Sequence, residues 1–207
     1  MGLALAGLAA LIVQPKPTYG HIIASRDAVW SESSDIHGET LRGTKIQLFE
    51  GHSQIELPNG VRLLLESPLD FEIVSDEEIR LIEGSLVADV PENAIGFRVQ
   101  TGNSEIVDLG TVFGVAASRH GASEVHVLKG EVKARPLRQA EFLHLTENRG
   151  LIIDAAQQVT EIRSNPEHFL RSLPGKSSEN PQFLHWSFDQ TSDLAECGGN
   201  GINGQFF

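Results

Sequence analysis

From Tyr19 to Glu161 the chain is a succession of short apolar or alternating runs, each closed by glycine or another turn former. The runs are Ile46–Phe49, Gln54–Leu57, Val61–Leu65, Phe71–Val74, Ile79–Ile82, Ser85–Val90, Phe97–Thr101, Glu105–Leu109, Thr111–Ala116, Glu124–Leu128 and Glu131–Ala134. A recurrence of roughly 8–12 residues is the rhythm of an all-β sandwich, roll or barrel. Val61 to Glu66 and Ser123 to Leu128 partly alternate, which puts one face on a core and the other toward water. Between two of these runs, Asn59-Gly60 offers positive φ at low cost, as a tight hairpin needs. Glu83-Gly84, Lys129-Gly130 and Asn148-Arg149-Gly150 are expected to act as similar turns. Helices are scarce. The best candidate runs from Asn165 to Leu173, with Asn165 as cap, Pro166 at the first helical position and Pro174-Gly175 as the stop.

The ends differ in texture. Met1 to Val13 is apolar and uncharged, shorter than the about 20 residues of a full membrane span and without a preceding basic residue. It is compatible with part of a transmembrane helix, an atypical signal or anchor, or a buried helix. An apolar anchor at 1–17 is the expectation carried forward, projecting as a helix. Gln14-Pro15-Lys16-Pro17 ends any such helix. A β domain should follow over 19–161, then a short helix and linker over 162–182, with Lys176–Pro181 mobile. Phe183 to Asp189 reads as one strand before a glycine-rich end.

With hydrophobic residues at 40%, a packed core is expected. The formal charge of −12, from 16 Lys+Arg against 28 Asp+Glu, repels phosphate backbones and argues against nucleic acid as a partner. The single cysteine, Cys197, excludes an intrachain disulfide and a cysteine-built zinc site.

Catalytic chemistry is hard to find. The eight histidines (His21, His37, His52, His120, His126, His144, His168 and His185) lack the close spacing of a helical zinc motif, so they read as scattered surface residues and no metal is expected. Gly51-His52-Ser53-Gln54-Ile55 lacks the second glycine and the βαβ setting of a nucleophile elbow. Asp108-Leu109-Gly110-Thr111 has no second copy with which to form a carboxylate dyad. No glycine loop that would cradle a cofactor phosphate precedes a helix. No catalytic residue and no cofactor is therefore assigned, and a hydrolase is disfavoured. Trp30 and Trp186 read as core anchors. Asp108, between Ile106-Val107 and the run from Thr111, reads as a turn-locking carboxylate held by the amides of Gly110 and Thr111.

The segment from about Leu41 to Ala134 resembles the FecR domain family. The resemblance rests on Leu57-Pro58-Asn59-Gly60-Val61, Ser67-Pro68-Leu69-Asp70-Phe71, Leu81 to Ala88, Gly96-Phe97-Arg98-Val99-Gln100-Thr101, Asp108 to Val115, and Val125 to Val132. Its structural signature residues are Asn59, Gly60, Gly84, Asp108, Gly110, Thr111, Gly114 and Gly130. The resemblance implies an all-β extracytoplasmic module, a FecR-type sandwich or roll. Such modules serve membrane-anchored regulators of sigma factors by protein–protein contact. It implies a protein partner in the cell envelope, an inner-membrane anchor, and a domain facing the periplasm or cell exterior. The sigma-binding cytoplasmic segment of the best-known members does not occur in this sequence. Phe169 to Pro174 and His185-Trp186-Ser187-Phe188-Asp189 resemble the junction of planctomycete-type FecR proteins with a LamG-like jelly roll, of which 183–207 is the expected start. That junction supports a second reading, an envelope-associated structural or carbohydrate-binding protein.

Overall fold

The computed structural model describes residues 17–174. The chain divides at Pro174–Gly175, and the described residues belong to the first unit. The expected anchor over 1–17, apart from Pro17, the linker at Lys176–Pro181, Trp186 and the LamG-like start lie outside the described residues. No described helix is long and apolar enough to cross a membrane.

The fold is mostly β, as the turn rhythm predicts. Its strands are β1 (Gly20–Trp30), β2 (Ile36–His37), β3 (Thr40–Leu41), β4 (Lys45–Glu56), β5 (Arg62–Ser75), β6 (Glu78–Asp89), β7 (Arg98–Gln100), β8 (Ser104–Asp108), β9 (Val112–Ala117), β10 (Ser123–Lys129), β11 (Glu131–Pro136), β12 (Leu143–Thr146), β13 (Arg149–Ile153) and β14 (Val159–Arg163). They form one mixed sheet of 14 strands, whose main path runs β12-β11-β8-β7-β6-β5-β4-β1-β3-β2 while β9, β10, β13 and β14 branch from β6.

The sheet folds back on itself along a line of backbone irregularities. Register shifts fall between Arg26 and Val29 in β1, between Leu48 and His52 in β4, and between Glu66 and Asp70 in β5. Beyond that line one half of each strand joins each layer. Glu78–Arg80 pair with β7, whereas Gly84–Asp89 pair with β9. This corrects the reading of six separate short strands. Ile46–Phe49 and Gln54–Leu57 lie on one strand (Leu57 just after it), as do Val61–Leu65 with Phe71–Val74 (Val61 just before it), and Ile79–Ile82 with Ser85–Val90 (Val90 just after it). In β4 and β6 the glycine between the runs, Gly51 or Gly84, bends a continuous strand instead of reversing it, and in β5 Ser67-Pro68 stands at that place. On the far side Gly130 and Asn148 turn corners. Beyond them β10 pairs with β13, and β11 with β12.

Between the layers lies one core, with Leu63, Leu65, Phe71, Ile79, Phe97, Val99, Phe113, Val125, Val127 and Leu151 among its members. Trp30 is only partly buried and packs at its margin. The expected helix over Asn165–Leu173 is a single 3-10 turn, Pro166–His168. Asn165 caps it as expected, Oδ1 accepting from the Glu167 amide at 3.2 Å. Phe169 then turns extended, φ −121° and ψ 143°, and its ring lies on Gly114 instead of continuing the helix.

Candidate functional site

Four of the eight signature residues meet at one place. Asp108 ends β8 and is fully buried. Its Oδ2 accepts from the Gly110 amide at 2.8 Å, closing the turn into β9. Thr111 Oγ1 donates to the Glu131 carbonyl, and the Leu109 amide donates to that carbonyl at 3.1 Å. Gly110 and Gly130 both have positive φ, and a Cβ on Gly130 would stand 2.5 Å from the Gly110 carbonyl oxygen. The aspartate–glycine–threonine turn and the following lysine–glycine–glutamate corner are thus two halves of one backbone contact.

The other four lie apart. Asn59 Oδ1 accepts from the Val61 amide at 3.1 Å, and Gly60 at φ +88° completes that hairpin. Gly84 lies inside β6, so the expected turn at Glu83-Gly84 is a strand bend. Its φ is +105°, and an added Cβ would sit 2.4 Å from the Pro68 carbonyl oxygen. Gly114 faces outward from β9 beneath Phe169.

Asp108 Oδ1 has no partner of normal hydrogen-bond geometry. Burial pushes the carboxyl above the ordinary carboxylate range, against the Gly110 amide and lesser contributions from Thr111 and Gly96. The folded state therefore takes up a proton at higher pH than the unfolded chain, and Asp108 adds stability as pH falls toward about 4. Asp108→Ala should cost about 1–3 kcal/mol at neutral pH, because the Gly110 amide loses its acceptor. The gap from wild type should widen on acidification. Urea melts at two pH values measure both, and a gap independent of pH would contradict the raised carboxyl.

A polar cluster not singled out by sequence reasoning lies inside the sandwich. Asn103 Nδ2 donates to the carbonyls of Ile153 at 3.0 Å and Asp154 at 2.9 Å. Its Oδ1 accepts from Ser123 Oγ at 2.7 Å and Thr101 Oγ1 at 3.1 Å. Ser104 Oγ joins Thr101 and Ser123. Every donor and acceptor of Asn103 is used, so the cluster ties the β7–β8 loop to β10 and β13 and leaves nothing aimed at a ligand.

His126 is the other buried titratable group. Its Nδ1 accepts from the Asn165 amide at 3.0 Å, and its Nε2 lies 3.4 Å from Glu124 Oε2. The imidazole stacks on His168, ring centroids 6.0 Å apart, and meets Phe169 edge-on. Burial lowers its pKa, with Glu124 pulling the other way. Among the described residues no group of three or more His, Cys, Asp or Glu is placed to hold a metal.

Comparison with known proteins agrees with this architecture. The family profile described as FecR protein matches residues 44–133, from the start of β4 into β11. Two crystal structures of a "putative anti-sigma factor" from Parabacteroides distasonis share the fold. One has 22% identity and a TM-score of 0.52, the other 21% and 0.51, each covering 60% of this chain and 61% of the solved one. No curated protein matches the sequence.

Proposed function

We propose that this chain contributes the signal-receiving module of a FecR-type regulator, acting in a sigma-factor system by protein contact and not by catalysis. The observation that carries the reading is the Asp108–Thr111 turn locked onto the Gly130–Glu131 corner, inside the FecR-matched stretch. The description of the two Parabacteroides structures as a "putative anti-sigma factor" points the same way. Buried polar groups here serve backbone carbonyls and amides, which suits a rigid surface presented to another protein. The apolar residues Met1 to Val13 would tether the domain to the inner membrane, with the β fold on the periplasmic or outer side. Strand β1 offers the contact. Beyond the Ile22 amide, which donates to Glu39, its outer edge pairs with no strand among the described residues. An open edge can take a partner strand through backbone hydrogen bonds alone.

The test is genetic. Removing the codons for residues 44–133 at the native locus should uncouple transcription by the sigma factor that this regulator serves from its inducing signal. Unaltered induction would overturn the assignment.

A further inference from the structure

The layer containing β9 and β10 carries a buried row on its outer face, away from the core. Directly paired residues share a face, and successive pairings place Gln54, Leu64, Val87, Gly114, His126 and Gly150 side by side across six strands. Leu64, Val87 and His126 are 2%, 3% and 1% exposed, although their sequence neighbours Leu63, Leu65, Ala88 and Val125 are the ones that point into the core.

The segment after β14 meets this layer at three places. The Asn165 amide is fixed at His126 on β10, the Phe169 ring lies flat on Gly114 of β9, and the Pro174 carbonyl accepts from Arg26 Nε on β1 at 3.0 Å. Between β9 and β1 the sheet holds β6, β5 and β4. Four strand spacings are about 19 Å. Five extended residues reach about 17 Å, and the Arg26 side chain closes the difference. Residues 165–174 therefore run as a strap from β10 past β9 to β1.

The geometry points to a pH-operated latch, in which protonation of His126 releases the Asn165–Pro174 strap and uncovers the apolar row beneath it. Docking requires a lone pair on Nδ1, because the Asn165 N–H donates to it. The neutral ring then carries its proton on Nε2, toward Glu124. A second proton must go to Nδ1, and two N–H groups would face each other at the position of the present bond. The charged groups around the ring are few. Glu124 on the same strand favours the imidazolium but sits at Nε2, where it cannot accept the new Nδ1 proton. His168 on the strap adds a like charge once it is protonated. β9 and β13 present only Gly114 and Gly150 at this register, and β14 presents Ile162 beyond them. Because the folded imidazole is held neutral, its stabilising contribution is present above about pH 6.5 and is lost as pH falls below that value.

Hydrogen exchange on the 207-residue protein, corrected for intrinsic rates, tests the latch between about pH 7.5 and 5.5. Protection across 165–169 should fall roughly tenfold or more on acidification, while β5 and β6 stay protected. H126N keeps an amide oxygen at the Nδ1 position as acceptor and removes the titration, so its strap should remain docked at both pH values. Constant protection in wild type, or the same pH dependence in H126N, would overturn the latch. Should H126N fail to fold, F169A with nitrogen-15 titration of His126 decides instead. Undocking the ring should raise the imidazole pKa toward the ordinary histidine value, and an unmoved titration would refute the coupling.

Discussion

Asn103→Ala is expected to cost about 3–5 kcal/mol, as the sum of four hydrogen bonds of roughly 1 kcal/mol each. Those bonds run to the Thr101 and Ser123 side chains and to the carbonyls of Ile153, at the end of β13, and Asp154 just after it. Alanine would leave buried carbonyls without a donor and a void in a site closed to solvent. Asn103→Asp should be no better, since its second oxygen would face the carbonyls of Ile153 and Asp154. A domain of this size has only about 5–15 kcal/mol to lose, so either change removes a large share of its stability. Urea denaturation supplies the measurement. A loss below about 1 kcal/mol would mean that water replaces the amide at no great cost.

Gly84→Ala should be at least as damaging, about 3–5 kcal/mol. Two penalties coincide there. The φ of +105° strains any L side chain, and the new Cβ would stand 2.4 Å from the Pro68 carbonyl oxygen and 2.8 Å from the Leu69 Cα. Both neighbours are backbone atoms of the adjacent strand at the fold line, so neither can rotate away. Relief would require β5 and β6 to part where each passes from one layer to the other. Gly96→Ala is the control, with φ +99° but nothing within 4 Å of the added carbon. It should show the conformational penalty alone. Equal losses at the two positions would show that the contact with β5 contributes nothing.

These positions show what a sequence can and cannot reveal. Alternation from Ser123 to Leu128 correctly puts Val125 and Val127 inward and His126 outward. It cannot show that residues nearly forty positions later return to bury His126, so the histidine reads as a surface residue. Gly84 is legible as a place needing positive φ. A hairpin turn and a strand bend make the same local demand, and only the layer change separates them. Asn165 and Pro166 announce a helix start with correct local chemistry. The turn ends because Phe169 gains more by covering Gly114 than by extending the helix. Asn103 carries no signal at all: Thr-Gly-Asn-Ser reads as a loop, and its partners Ser123 and Ile153 come from distant stretches. Asp108 was the favourable case, since its acceptor role involves an amide two residues away.

The strap also fixes an order of events during synthesis. Strands β4, β5 and β6 are consecutive and can pair as soon as they emerge, since local contacts carry a small loop-closure cost. Their outward residues Leu64 and Val87 gain a cover only when residues 165–174 arrive, about a hundred positions later in the case of Leu64. Throughout that interval a nearly complete sandwich carries an uncovered apolar stripe, a surface for chaperones or for misassembly with a neighbouring nascent chain. The final ten residues of the described domain therefore act as its seal, and the β domain is closed only when translation has passed them.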